Sequence, residues 1–280
     1  MAVVLITGGS SGIGLATVRR LAADGDQVFY GSRTPAPDGS FAPFDQYVTH
    51  VPLDLADPGS CEAAVRYVTA VAGRLDCLVN CAGTGGLSPL EEATDDEAHR
   101  IFEVNVFGPM RLIRIAVPTM HASGGGRIVN VTSLNDIAPA PFGGWYSASK
   151  SALMSLSYVL GAELADSGIA VTVVAPGLFR TPMSESLPSQ RVSPASRFAP
   201  AFDALARTSA DRLASAGNPD DAAVVIVDCL RSPAPPARVV AGPDGLAMEE
   251  AVRAASPDDL ARMLGESVGK LSAGHAWPVT

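Results

Sequence analysis

Tyr146 and Lys150 stand four residues apart in the segment WYSASK, and Ser133 lies thirteen residues before the tyrosine at the end of IVNVTS. On a helix, a spacing of four sets the phenol and the ammonium on one face, one turn apart. A positive charge beside a phenol favours its ionised form. The pair therefore predicts a tyrosine whose pKa is drawn down from about 10, ready to exchange a proton with a bound substrate near neutral pH. Only two lysines, Lys150 and Lys270, occur against eighteen arginines. A compact point charge is thus used here in a chain that otherwise prefers the wide guanidinium fork. By itself Tyr-x-x-x-Lys is a weak pattern, because a packed tyrosine and a solvated lysine share the same spacing.

The elements that would position these groups can be read along the chain. AVVLI leads straight into TGGSSGIG and then LATVRRLAADG, giving strand, glycine turn and helix in that order. Gly8, Gly12 and Gly14 allow the backbone to turn tightly and approach a pyrophosphate. The N–H groups from Ser11 to Ile13, together with the helix dipole, would meet its charge. The glycines are spaced G-x-x-x-G-x-G rather than G-x-G-x-x-G. Strands are predicted at residues 3–7, 27–31, 47–52, 75–80, 127–132, 169–175 and 238–241, and helices at 12–24, 58–73, 97–121, 144–167 and 219–230. Continuously apolar strands alternating with helices predict an α/β chain whose parallel sheet is covered on both faces. Residues 34–45, rich in Pro and Gly, read as a surface loop.

Seven motifs in order give the chain a resemblance to the short-chain dehydrogenases/reductases of the compact, single-domain branch. They are TGGSSGIG, LDLAD with Asp54, LVNCAG with Asn80 and Gly83, FEVNVFG with Asn105, the segment ending in Ser133, YSASK, and PGLFRT with Pro176, Gly177 and Thr181. Their wording most resembles hydroxysteroid- and retinol-dehydrogenase-like members. The resemblance implies a Rossmann-type doubly wound sheet of seven parallel strands in the order 3-2-1-4-5-6-7, with residues 1–280 forming one domain. It implies a catalytic set of Asn105, Ser133, Tyr146 and Lys150. Tyr146 would exchange the proton of a ketone or secondary alcohol, Ser133 would hold the reacting oxygen, Lys150 would depress the tyrosine pKa and bind the nicotinamide ribose, and Asn105 would position a relaying water. The cofactor-binding set it implies is Gly8, Ser10, Ser11, Gly12, Ile13, Gly14, Ser32, Arg33, Asp54, Leu55, Asn80, Ala82, Gly83, Tyr146, Lys150, Pro176, Gly177, Phe179 and Thr181. Asp54 would contact the adenine amino group. Cys81 stands where the family usually places a second asparagine, and binding is expected to survive because backbone contact dominates there.

The end of the second strand, VFYGSR, bears on which cofactor is held. A carboxylate at that point accepts from both ribose hydroxyls and repels a 2′-phosphate. Ser32 followed by Arg33 instead suits a phosphate dianion through charge-assisted hydrogen bonds, so NADP(H) is expected, with NAD(H) as the alternative.

Composition narrows the remaining classes. With 280 residues, 47% of them hydrophobic, the chain can bury one large core. A net charge of −9 argues against nucleic acid or an anionic membrane as partner. No apolar stretch reaches the ~20 residues of a membrane span, and Met1 leads directly into a strand, so a soluble cytoplasmic protein is expected. Cys61, Cys77, Cys81 and Cys229 show no paired spacing, and His50, His99, His121 and His275 form no ligand cluster with them, so neither disulfide nor metal is expected. Residues 182–216 leave the carboxyl end of a strand and read as a substrate lid, with Phe202, Leu205 and Leu213 on one side of a helix at 201–214. Residues 245–270 read as one or two helices that would cover the pocket, pack on the core or contact a second subunit. A homo-oligomer is compatible with this reading. Phe142, Trp145, Phe179, Met183 and Phe198 are candidates for an apolar pocket. The function expected is an NADP(H)-dependent oxidoreductase interconverting a bulky lipophilic ketone, steroid-, retinoid- or polyketide-like, and its secondary alcohol. The alternative is a dinucleotide-binding sensor of the same fold with little turnover.

Overall fold

The computed structural model describes residues 1–187 and 192–273. These form a seven-stranded parallel sheet of β1 (Val3–Thr7), β2 (Gln27–Ser32), β3 (Val48–Pro52), β4 (Cys77–Asn80), β5 (Gly126–Val131), β6 (Ile169–Pro176) and β7 (Arg238–Ala241). Their order across the sheet is 3-2-1-4-5-6-7, as the resemblance implies. The chain leaves β1 toward β2 and β3, then crosses back to place β4 on the other side of β1. That reversal opens a crevice at the carboxyl ends of β1 and β4, where doubly wound sheets bind ligands.

The central strands are largely apolar because both of their faces are buried. On β1, Val4 and Ile6 pack toward α1 (Gly12–Ala23) and α8 (Pro219–Arg231), joining Val18, Leu21, Ile226 and Val227. Val3 and Leu5 point to the opposite face and join Val65, Val68, Leu112 and Met120 on α2 (Pro58–Ala72) and α4 (Gly108–Ala122). The period of two thus assigns alternate residues of one strand to two cores.

The helices expected at 12–24, 58–73 and 219–230 are met to within one residue, and those at 97–121 and 144–167 differ more. The helix expected at 58–73 stops at Ala72, because Gly73 takes a left-handed conformation (φ 73°) that ends it. The helix expected at 97–121 is divided into α3 (Asp95–Phe102), a π-helical turn (Glu103–Phe107) and α4. Apolar periodicity does not register the one residue such a turn inserts. α5 (Gly144–Glu163) ends four residues before the expected boundary.

Beyond β6 lie the short α6 (Pro182–Glu185) and α7 (Ala199–Ala214), with part of the expected lid, residues 188–191, outside the described residues. The described residues end with two helices, α9 (Pro243–Ala254) and α10 (Pro257–Ser272). Two N-cap residues of this region, those of α6 and α10, use their side chains reciprocally. The Thr181 hydroxyl accepts from the Ser184 N–H, and the Ser256 hydroxyl accepts from the Asp259 N–H. No helix of the described residues is long and apolar enough to cross a membrane.

Candidate active site

The glycine turn between β1 and α1 lets backbone approach backbone. A Cβ built on Gly8, whose φ is 74°, would stand 2.8 Å from the Ala82 Cα, and one on Gly14 would stand 2.3 Å from the Gly8 carbonyl oxygen. The Thr7 hydroxyl accepts from the N–H groups of Cys81 (3.1 Å) and Ala82 (3.0 Å), tying the two strand ends at the crevice together. Ser11, the N-cap of α1, makes no side-chain capping bond, so the first N–H groups of the helix are left for a ligand rather than a cap. Such a cradle fits the phosphates of a dinucleotide. Gly8, Ser10, Ser11, Gly12, Ile13 and Gly14 line one continuous cleft with Asp54, Leu55, Ala82, Gly83, Pro176, Gly177, Phe179 and Thr181.

At the other end of this cleft, β5 delivers Ser133 and α5 delivers Tyr146 and Lys150. The Ser133 hydroxyl accepts from the Asn135 N–H (3.2 Å) and lies close enough to the Tyr146 phenol to favour its ionised form. The Lys150 Nζ lies 5.7 Å from the centre of the Tyr146 ring and donates to the Val131 carbonyl oxygen at 3.0 Å. Asn105 is fully buried within the π-helical turn. Its Oδ1 accepts from the Thr84 N–H (2.8 Å), and its Nδ2 donates to the Thr84 carbonyl (2.8 Å) and the Ser149 hydroxyl (3.0 Å). A Cβ at Gly83 would stand 3.4 Å from both Asn105 Oδ1 and Lys150 Nζ, so this backbone borders the space between the two side chains.

The electrostatics correct one expectation. Burial pushes the Tyr146 phenol above its ordinary value, the Ser133 hydroxyl opposes this, and the Asp136 carboxylate adds to it. The lysine carries the complementary cost. Burial drives the Lys150 ammonium down to about 8, against the attraction of Cys81 and Asp136. Desolvation is the largest cause at both groups because both lie in the same interior.

The region after β2 refines the cofactor reading. The Ser32 hydroxyl donates to the Thr34 carbonyl oxygen (2.6 Å) and meets His50 Nε2 at 3.1 Å, while the same nitrogen lies 3.1 Å from the Ser32 carbonyl oxygen. A carbonyl only accepts, so Nε2 carries the proton and the serine hydroxyl has none to spare for a phosphate. Arg33 is exposed on the cleft wall. Asp54 Oδ1 accepts from the Ala56 N–H (3.0 Å) and borders the cleft. Asn80 sits below the cleft instead of lining it. Its Nδ2 donates to Asn130 Oδ1 (2.8 Å), whose Nδ2 in turn donates to the Ser157 hydroxyl (2.8 Å), so it joins β4, β5 and α5. Cys81 lines the cleft, with burial lifting its thiol to about 12, which leaves it protonated and unreactive.

The cleft encloses about 1230 Å³. Of the five candidate pocket residues, Phe179 and Met183 line it, whereas Phe142, Trp145 and Phe198 do not. Phe142 packs against Phe198 (5.6 Å between ring centres) and Phe202 (4.8 Å) beneath the lid, and Trp145 stands edge-on to Phe102 (6.3 Å). Large rings gain most from mutual burial, and here they build the lid's own core. The walls that sequence reasoning left undecided come from the C-terminal helices: Met248 and Val252 of α9, and Leu260, Met263 and Leu264 of α10. The i, i+3, i+4 spacing of the last three marks an apolar face, but not what it covers. Among the described residues no His, Cys, Asp and Glu cluster could hold a metal ion.

Residues 2–192 match the family described as short chain dehydrogenase. A protein of Streptomyces virginiae named as a ketoacyl reductase of the monensin polyketide synthase is 37% identical over 195 residues, which cover 65% of this chain and 72% of that one. A short-chain dehydrogenase from Streptomyces avermitilis superposes with a TM-score of 0.79 at 32% identity, covering 98% of this chain and 97% of its own. A 3-ketoacyl-(acyl-carrier-protein) reductase from Brucella melitensis, solved in complex with NADH, superposes with a TM-score of 0.66 at 27% identity, covering 83% of this chain and 91% of its own.

Proposed function

The chain belongs to the short-chain dehydrogenase family and is an oxidoreductase of alcohols and ketones that uses a nicotinamide dinucleotide; from that premise we propose that it prefers NADP(H) and acts on a bulky lipophilic substrate. The observation that carries the cofactor preference is the exposed Arg33 guanidinium on the cleft wall directly after β2, with a serine and no carboxylate at the end of that strand. The Ser32 hydroxyl is committed within the protein, so the preference falls on Arg33. The substrate class is supported by the size of the cleft and by the aliphatic and methionine side chains of α9 and α10 in its wall. The relative from Streptomyces virginiae carries a name that points to a polyketide ketone.

The bound dinucleotide supplies or takes up a hydride at the carbon of the reacting group. Tyr146 gives its proton to the carbonyl oxygen during reduction and recovers it from the alcohol during oxidation. Its burial keeps the phenol protonated near neutral pH, which is the form that reduction consumes. Ser133, beside the phenol, holds the reacting oxygen next to it and eases the charge left on the tyrosine. Lys150 lies close enough to stabilise that phenolate, and the Val131 carbonyl holds the ammonium in place. Asn105, with its side chain fully engaged by Thr84 and Ser149, keeps the wall next to Lys150 rigid. A dinucleotide-responsive regulator with little turnover would have no need of this assembled proton-transfer group.

The test is kcat/KM with NADPH and with NADH for the wild type and for Arg33→Asp. The substitution removes a charge-assisted hydrogen bond worth ~1.5–3 kcal/mol and adds a repelling carboxylate, so NADPH efficiency should fall on the order of tenfold to a thousandfold. NADH efficiency should hold or rise, since the new carboxylate can accept from the ribose hydroxyls. An unchanged ratio, or a wild type that already favours NADH, refutes the preference.

A further inference from the structure

Behind the catalytic serine lies an array of charges that the proton-transfer steps do not use. Asp136 closes the short turn that begins at Ser133, and its carboxylate is fully enclosed. One oxygen accepts from the Thr132 hydroxyl at 2.7 Å, and the other accepts from Arg238 Nη2 at 3.0 Å. The backbone of Asp136 is held as well: its N–H donates to the Ser133 carbonyl (2.9 Å), and its carbonyl accepts from the Ser151 hydroxyl (2.7 Å), next to Lys150 on α5. Arg238, on β7 and 8% exposed at its side chain, turns its other terminal nitrogen to Glu249 on α9. The Glu249 carboxylate also accepts from Arg253 at 3.1 Å.

α9 is bound to the same machinery at two other points. The Asp244 carboxylate, in its first turn, accepts from the Leu178 N–H at 2.8 Å, in the loop that follows Pro176 and Gly177. Met248 packs on Leu134, the residue after Ser133, together with Ala175 and Val240. The helix that supplies Met248 and Val252 to the cleft wall is therefore joined to the catalytic turn by ionic and apolar contacts.

We propose that the Asp136–Arg238–Glu249 array is a positioning device of the reaction, clamping the turn that carries Ser133 and making α9 part of the catalytic assembly. Arg238 is the hinge of this arrangement, because its planar fork can engage two carboxylates from two different elements at once. A wall of the substrate cleft is thereby coupled to the placement of the catalytic serine, so that a substrate seated against Met248 and Val252 presses on the same body that aligns Ser133 with Tyr146. The Asp136 carboxylate also acts through space. It disfavours the ionised phenol, and Arg238 offsets its charge. The groups facing Tyr146 are Ser133, Lys150 and Asp136. Those facing Asp136 are Thr132, Arg238 and Lys150.

This inference rests on the assignment of Ser133 and Tyr146 to proton transfer, and its test uses a readout that needs no substrate. Ultraviolet difference titration of the intact protein against its Tyr146→Phe variant isolates one phenol among five tyrosines. Asp136→Asn keeps the shape of the side chain and removes its charge, so the Tyr146 midpoint should move down by on the order of half a unit to one unit, as expected when a nearby like charge is removed. The rising limb of the pH profile for alcohol oxidation, which follows ionisation of the phenol, should move with it. Glu249→Gln, at a partly exposed position, should leave the fold intact and lower kcat several-fold while the KM for cofactor changes by less than about twofold. Arg238→Lys, which retains charge but loses the fork, should recover only part of the activity lost in Arg238→Met. Should Arg238→Met fail to fold, the first two variants decide. An unmoved midpoint in Asp136→Asn, or a Glu249→Gln enzyme with unchanged kcat, overturns the proposal. A wild type inert toward every ketone offered would instead defeat the assigned function, while the titration would still judge the array.

Discussion

Replacing Lys150 with methionine should make the cofactor-free protein more stable at neutral pH while removing its activity. The lysine is 3% exposed and its ammonium is held down at about 8 from an ordinary 10.5, chiefly by burial. Between those two values the unfolded chain binds a proton that the folded chain has released, so stability rises with pH across this window. The penalty is fully present below pH 8 and vanishes above about 10.5. A shift of this size corresponds to ~3 kcal/mol at 1.36 kcal/mol per unit. Methionine keeps the aliphatic stem but loses the hydrogen bond to the Val131 carbonyl, worth about 1 kcal/mol. Its net advantage at pH 7 should be ~2 kcal/mol, or roughly 3–4 °C in Tm for a chain of this length. The assay is thermal or urea unfolding of both proteins without cofactor from pH 7 to 10.5. The buried Cys77 thiol also affects the alkaline end, but in both proteins alike. The stability of wild type relative to variant should climb by ~3 kcal/mol across the window. Parallel curves would refute the idea that Lys150 is held against its solvation.

Tyr146→Phe deletes the transferred proton and no phosphate contact, so turnover should fall by ~10²–10⁴-fold while NADPH affinity, read by fluorescence, stays within a few-fold. A residual rate above about a tenth of wild type would contradict the assignment. Ser32→Ala should weaken NADPH binding by less than about threefold, far less than Arg33→Asp, because its hydroxyl proton is already given to Thr34. A loss equal to that of Arg33→Asp would mean that the hydroxyl turns toward the phosphate when the cofactor binds.

The alternation of apolar strands and helices, with the glycine turn after β1, was enough to state the layered parallel sheet, because each strand carries residues for two cores and leaves no polar face in its sequence. The order of the strands rested on resemblance, and so did the grouping of Ser133, Tyr146 and Lys150 with a glycine cradle some 120 residues earlier in the chain. Spacing places Tyr146 and Lys150 on one helix face but says nothing of the solvent around them. The sign of the tyrosine shift was therefore missed: burial is a property of everything packed around the pair, and here it is the largest cause at both groups. For the same reason the Ser32 hydroxyl was taken as free, since its partner His50 lies on a neighbouring strand. Phe142 and Phe198, candidates for the pocket, are the lid's core, and Asn80, assigned to the cofactor, bridges two strands beneath it. The π-helical turn that aims Asn105 inserts one residue into a periodic pattern without disturbing its composition. The C-terminal helices show an apolar stripe that would suit a core, a pocket or a second subunit equally well. Only the assembled fold puts Met248 over the cleft and Glu249 against Arg238, because which surfaces meet is set by packing across the whole chain and not by the residues of any one segment.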